Sequence, residues 1–135
     1  MAKVLIVEDE TLIRFSLADA LIEAGHVVID CGNVLEAVAA LARHDDIAAV
    51  VTDVDMPGGL SGLDLAALVR KTRPSVPLIV TSGRVIDLSA VDGATFLAKP
   101  YDFAALARRL SERLEKVGGK TGLRPALSST RYRAL

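Results

Sequence analysis

VVTDVDMPGG, residues 50–59, sets an apolar run against two carboxylates. Ile47 to Val51 reads as a buried strand, and Asp53 and Asp55 follow at its end. A carboxylate at the mouth of a sheet loses hydration, a cost tolerated only where a cation, a hydrogen-bond network or a reaction compensates for it. Short β-branched runs of the same kind recur at KVLIV (3–7), HVVID (26–30), PLIVT (77–81) and TFLA (95–98). Being apolar on both faces, they suit a parallel sheet covered on two sides.

Stretches of helical period lie between them. Leu12, Ile13, Phe15, Leu17, Leu21 and Ile22 form an apolar stripe that Gly25 ends. Asn33 and Glu36 have the spacing of a capping box and open a helix to about Arg43. A third helix runs from about Ser61 to Thr72, before Arg73 and Pro74. The last starts from Asp102 as N-cap and continues to about Val117. Between Arg84 and Gly93 only Val85, Ile86, Leu88 and Val91 support a helix, so the fourth is expected to be short or irregular. The alternation is (βα)5. Right-handed crossovers fold it into an open, doubly wound α/β sheet of five parallel strands whose working edge lies at the strand C-termini.

What ends each strand therefore decides the chemistry. The first ends in Glu8 and Asp9, the third in Asp53, the fourth in Thr81 and Ser82, and the fifth in Lys99 and Pro100. With strand order 2-1-3-4-5 the first and third strands flank the switch point, so Glu8, Asp9 and Asp53 converge. Crowded carboxylates of this kind suit a hard divalent cation, Mg²⁺ or Mn²⁺. Beside such an ion Asp53 can attack phosphorus and form an acyl phosphate, with Thr81 and Lys99 holding the remaining oxygens.

VLIVEDE, VVTDVDMPG, IVTSG and FLAKPYD, in this order, resemble the landmarks of response regulator receiver domains of two-component signalling, with the flavodoxin-like fold of that family. The resemblance covers Lys3 to about Lys116. It implies Asp53 as phosphoacceptor, Glu8 and Asp9 as the acidic pair, a backbone carbonyl of Asp55 as a further metal ligand and Lys99 as the phosphoryl contact. It also implies Thr81 as the switch hydroxyl, Phe96 as the switch aromatic and a cis Lys99–Pro100 bond. The partners it implies are a histidine kinase or histidine phosphotransfer protein, docked on the first helix and the loop near Tyr101 through Leu12, Arg14, Phe15 and Asp102, and a downstream protein target. Such a protein carries out its own phosphoryl transfer and autodephosphorylation without being a multiple-turnover enzyme. Three features depart from the common pattern. MPGGLSG is one residue longer than usual, Thr81 and Lys99 are only 18 positions apart, and Phe96 lacks a hydroxyl.

Two rivals come from other classes. DVD also resembles the nucleophile and acid pair of haloacid-dehalogenase-type phosphatases, with Asp53 attacking and Asp55 protonating the leaving group. Against this, the second acidic pair precedes the motif here. A flavin or nucleotide module would need a glycine-rich turn after the first strand, where this chain reads EDE.

The chain has 135 residues, 51% of them hydrophobic, enough for one domain with a proper core. Residues 1–117 read as that domain and 118–135 as a basic, flexible tail with Lys120, Arg124, Arg131 and Arg133 and no acid. The rest holds 12 basic against 17 acidic residues, a poor surface for a phosphate backbone. The residues after Lys116 are too few for a helix-turn-helix, so no DNA-binding domain is expected and readout falls to protein contact or phosphate relay. The apolar runs are strand-sized, so a cytoplasmic protein without a membrane span is expected, as monomer or weak dimer. Cys31 has no partner thiol, and solvated or turn roles are expected for His26 and His44.

Overall fold

The structure, a computed structural model, describes residues 2–56, 58–89, 91 and 93–119. Segment 120–135, most of the expected tail, lies outside the described residues. The elements are β1 (Lys3–Val7), α1 (Thr11–Glu23), β2 (Val27–Cys31), α2 (Val34–Arg43), β3 (Ile47–Asp53), α3 (Gly62–Thr72), β4 (Leu78–Ser82), β5 (Thr95–Ala98) and α4 (Phe103–Gly119). All strand pairs are parallel, and the order is β2-β1-β3-β4-β5, as expected.

Strand alternation splits the core into two layers. Leu5, Val7, Ile29, Val50, Leu78 and Val80 pack with α2 and α3 on one face. Val4, Ile6, Val28, Val51 and Ile79 pack with Leu17 and Leu21 of α1 and Leu106 and Leu110 of α4 on the other. Fully burying each such side chain contributes roughly 1.5–3 kcal/mol, so the two layers fix the sheet between its helices.

The helix starts are held locally. Asn33 Oδ1 accepts from Glu36 N–H at 2.9 Å while the Glu36 carboxylate accepts from Gly32 N–H at 2.8 Å. Ser61 and Asp64 form a complete capping box on α3, and Asp102 caps α4 by accepting from Ala105 N–H at 2.9 Å. Arg73, just past α3, donates to the carbonyls of Leu41 and His44, which the C-terminus of α2 leaves without helical partners.

Between β4 and β5 the described residues contain no helix, in keeping with the short or irregular fourth helix that the pattern gave, and four helices are assigned among them. Asp87 there accepts from Ser89 N–H at 2.9 Å, a local turn that competes with helical bonding, while Val91 inserts into the core and Val85 stays in solvent. Two expectations need correction. On α1 the apolar stripe is broken. Leu12 is 83% and Phe15 41% exposed, while Arg14 between them reaches to 3.6 Å from the buried Asp30. Finally, His26 is neither solvated nor in a free turn. It is buried just before β2, with Nε2 2.8 Å from Ser111 Oγ of α4.

Burial holds the His26 imidazole below its ordinary pKa. The folded state therefore resists protonating this ring, and acid works against folding through it. Stability from a neutral His26 is fully present above the unfolded value near 6.5 and declines as pH falls through the lower folded value. Urea titrations from pH 7.5 to 5 should show parent stability falling relative to a His26→Gln variant. Parallel curves for the two proteins would remove His26 as the acid-sensitive joint.

Candidate functional site

Parallel pairing places the site. β1 stops at Val7 and delivers Glu8 and Asp9 onto the turn before α1, while β3 runs two residues further than its apolar pattern and carries Asp53 at its tip. Asp53 lies in register with Thr81 of β4, and Lys99 follows the last residue of β5 with its N–H bonded to the Ser82 carbonyl at 2.8 Å. The Lys99–Pro100 bond is cis.

Glu8, Asp9 and Asp53 present carboxylate oxygens that all lie within 4.8 Å of one another. Glu8 and Asp53 are almost fully buried, and Asp9 is the most open of the three. The Lys99 ammonium bridges two of them, at 2.7 Å from Glu8 Oε1 and 3.2 Å from Asp53 Oδ2. Glu8 Oε2 also accepts from Glu10 N–H at 3.1 Å. Burial pushes Glu8 above the usual carboxylate range despite Lys99 and this N–H. Burial does the same to Asp53, again against the pull of Lys99. Burial also opposes charge on Lys99, but Glu8 and Asp53 more than offset it and hold the ammonium above its ordinary value. One ammonium cannot neutralise three crowded carboxylates, so the site retains a demand for positive charge.

The donor set fits a hard cation. All three ligands are oxygens, and trans oxygens around octahedral Mg²⁺ stand about 4.2 Å apart, given metal–oxygen distances of about 2.1 Å. In an octahedron only one of the three pairs can span that distance and the others close to about 3.0 Å, so the carboxylates, gathered within 4.8 Å of one another, would draw together around an ion.

Asp55 is not brought into this cluster by its side chain. Its carboxylate points to Arg84, which binds it through Nη2 at 2.9 Å and Nε at 3.2 Å, and Ser82 Oγ donates to it at 3.3 Å. Hydrogen bonding by Arg84 holds the Asp55 carboxyl below its ordinary range, which keeps it ionised and unsuited to be the protonated acid of a phosphatase. Thr81 is buried beside Asp53. Phe96 is half-buried on β5 and belongs to neither core layer. Tyr101 packs edge-on against Phe103, with ring centroids 5.3 Å apart.

Sequence reasoning missed Gly62. Its N–H donates to the Val54 carbonyl at 3.1 Å, and a Cβ there would stand 1.8 Å from the Asp53 carbonyl oxygen. The last glycine of MPGGLSG thus lets α3 start directly against the backbone that carries Asp53. Its position at the end of that loop was the available signal.

Residues 4–111 match the family described as response regulator receiver domain. The chain belongs to that family. The receiver is 35% identical over 123 residues to the two-component response regulator PhoP of Pseudomonas aeruginosa, which covers 87% of this chain and 53% of PhoP. It is 33% identical over 110 residues to the response regulator protein FleR of the same organism, covering 78% of this chain and 23% of FleR. The receiver therefore spans between about a quarter and a half of the length of these curated relatives. Among solved structures, the response regulator TrrA of Thermotoga maritima in complex with Mg²⁺-BeF superposes with a TM-score of 0.72 at 26% identity, covering 84% of this receiver and 99% of TrrA. A CheY-like receiver domain protein of Methanospirillum hungatei gives a TM-score of 0.79 at 23% identity, covering 89% of this receiver and 98% of that chain, and shares the fold. No helix among the described residues of the receiver is long and apolar enough to cross a membrane.

Proposed function

We propose that this receiver is a phosphorylation-operated switch in which Asp53 takes a phosphoryl group from the phosphohistidine of a histidine kinase or histidine phosphotransfer protein. The observation that carries this reading is the Lys99 ammonium held between Glu8 and Asp53 inside a triad of carboxylates. An Asp53 oxygen attacks phosphorus, the P–N bond breaks, and its electron pair leaves with the imidazole, which takes a proton. Lys99 already stands 3.2 Å from Asp53 and donates to an oxygen of the arriving group. Thr81, in register beside Asp53, is the second donor. Glu8, Asp9, Asp53 and the backbone carbonyl of Asp55 would hold Mg²⁺, with Mn²⁺ as a substitute. The bound ion supplies neutralisation of the phosphoryl charge. Hydrolysis of the acyl phosphate returns Asp53, so the protein resets itself rather than turning over a diffusible substrate.

Donor docking falls to the exposed first turn of α1, where Leu12 and Phe15 stand in solvent beside Arg14, and to Asp102 at the start of α4. Phe96 follows Thr81 inward by packing alone, since it has no hydroxyl to bond. The reading places the protein in the cytoplasm, signalling to a downstream protein target or relaying its phosphate as a monomer or weak dimer.

Phosphoramidate and a purified phosphohistidine protein should each transfer one phosphoryl group, located to Asp53 by mass spectrometry of the borohydride-reduced protein. Excess EDTA should abolish the transfer. Label on another residue, label undiminished by chelation, or no label from either donor would overturn the proposal.

A further inference from the structure

At the N-terminal edge of the sheet, opposite the carboxylate triad, the end of α3, the approach to β4 and the second half of α4 border an open groove of about 790 Å³. Its walls carry Arg70, Arg109, Arg113 and Lys116 against one acid, Glu112. Among the described residues, none of these four cations lies within ion-pair distance of a carboxylate. This cationic pocket sits in a body with 12 basic and 17 acidic residues.

We infer that the groove binds a small organic polyphosphate of the nucleoside di- or triphosphate class. Guanidinium forks match phosphate oxygens in paired hydrogen bonds, which a carboxylate-poor pocket leaves available. Two of the forks are anchored. Arg70 Nη1 donates to the carbonyls of Pro74 and Val76, and Arg113 Nη1 donates to Thr95 Oγ1. Anchoring one nitrogen of each fixes the rest of the fork before a ligand arrives, which lowers the ordering cost of binding. The Arg70 Nε is buried with no acceptor among the described residues, so this guanidinium is not saturated by the protein.

Size and shape narrow the class. The groove falls in the range of about 300–1,000 Å³ typical of small-molecule sites. Pro74, Val76 and Pro77 form an apolar wall against which a base can lie, and Thr95 and Ser75 add hydroxyls. An extended polyanion such as nucleic acid would meet the acidic remainder of the body, whereas a compact polyphosphate meets mainly the local field.

Calorimetric titration of the full chain with ADP and ATP, with EDTA present, tests the inference. Saturable binding is expected, weakened about tenfold or more in Arg109→Glu/Lys116→Glu because two charge contacts become repulsive. Both side chains are exposed, so the reversal leaves the core intact. Asp53→Asn should bind ADP as the parent does, and the double variant should take up phosphoryl groups as the parent does, which separates this site from the proposed phosphoacceptor. Inorganic phosphate binding as tightly as ADP would mark an adventitious ion only and overturn the inference. So would unchanged ADP affinity in the double variant, preference for polyglutamate over ADP, or no saturable binding at all.

Discussion

An Asp53→Asn variant should take no phosphoryl group from any donor and should nevertheless melt at a higher temperature than the parent in metal-free buffer. The first half follows from chemistry, because an amide oxygen has neither the charge nor the basicity to displace an imidazole from phosphorus. The second half follows from linkage. Burial raises the Asp53 pKa more than Lys99 lowers it, so the folded protein disfavours the ionised form. Stability therefore falls as pH rises from the unfolded value near 3.9 through the raised folded value, and the penalty stays in force at neutral pH. Asparagine removes that charge while keeping the shape. Lys99 keeps its closer partner, Glu8 at 2.7 Å, so the substitution strands no ammonium. Scanning fluorimetry at pH 7 with EDTA and then with Mg²⁺ should show the parent gaining stability from the ion and the variant gaining less. Phosphoryl label on the variant would mean that another residue is the acceptor. A lower melting temperature in EDTA would mean that the buried charge is a net stabiliser.

The second large effect is expected at Gly62. In an ordinary helix Gly→Ala stabilises by up to about 1 kcal/mol. Here the added methyl would run into the Asp53–Val54 peptide, 1.8 Å from the Asp53 carbonyl oxygen, 2.7 Å from its carbon and 2.9 Å from Val54 Cα. No side-chain rotation relieves a clash with main chain, so α3 must move away from β3 and the Gly62 N–H bond to Val54 is lost. Overpacking on this scale costs about 3 kcal/mol or more, which lowers the melting temperature by on the order of 10 °C in a domain of this size. Any Gly62→Ala protein that folds should also be slower to accept phosphate, because the displaced backbone carries Asp53. Gly59→Ala is the control. It lies in the same loop with nothing within 4 Å of the added carbon, and should shift stability by no more than about 0.5 kcal/mol. Equal behaviour of the two variants in urea titrations would show that the start of α3 is not fixed by this contact.

The parallel sheet was legible because its strands are apolar on both faces, a pattern that suits a covered parallel sheet, and its order came with the flavodoxin-like fold that the motifs imply. The triad was legible because topology alone brings the ends of β1 and β3 together. What could not be read depends on contacts far apart in the chain. His26 looks like a polar residue at a strand start until Ser111, 85 positions later, arrives beside it. The first turn of α1 keeps helical period, but period does not reveal that Leu12 stays in solvent while Arg14 reaches the buried Asp30. Asp55 could be placed next to Asp53 in sequence, yet the direction of its carboxylate was set by Arg84, 29 positions away. The segment after β4 was correctly weak in pattern. Its described residues form a short turn at Asp87 and bury Val91, with no helix assigned among them.

The strand at the sheet's end is also its shortest. β5 has four residues, all of them at least partly exposed, whereas the five residues of its neighbour β4 are all buried. Solvent deuterium should therefore reach the amides of Thr95 to Ala98 long before those of Leu78 to Ser82, through openings that leave the rest of the sheet closed. Lys99 hangs from the end of that outermost strand, so its hold on Glu8 and Asp53 is only as durable as the sheet's last seam.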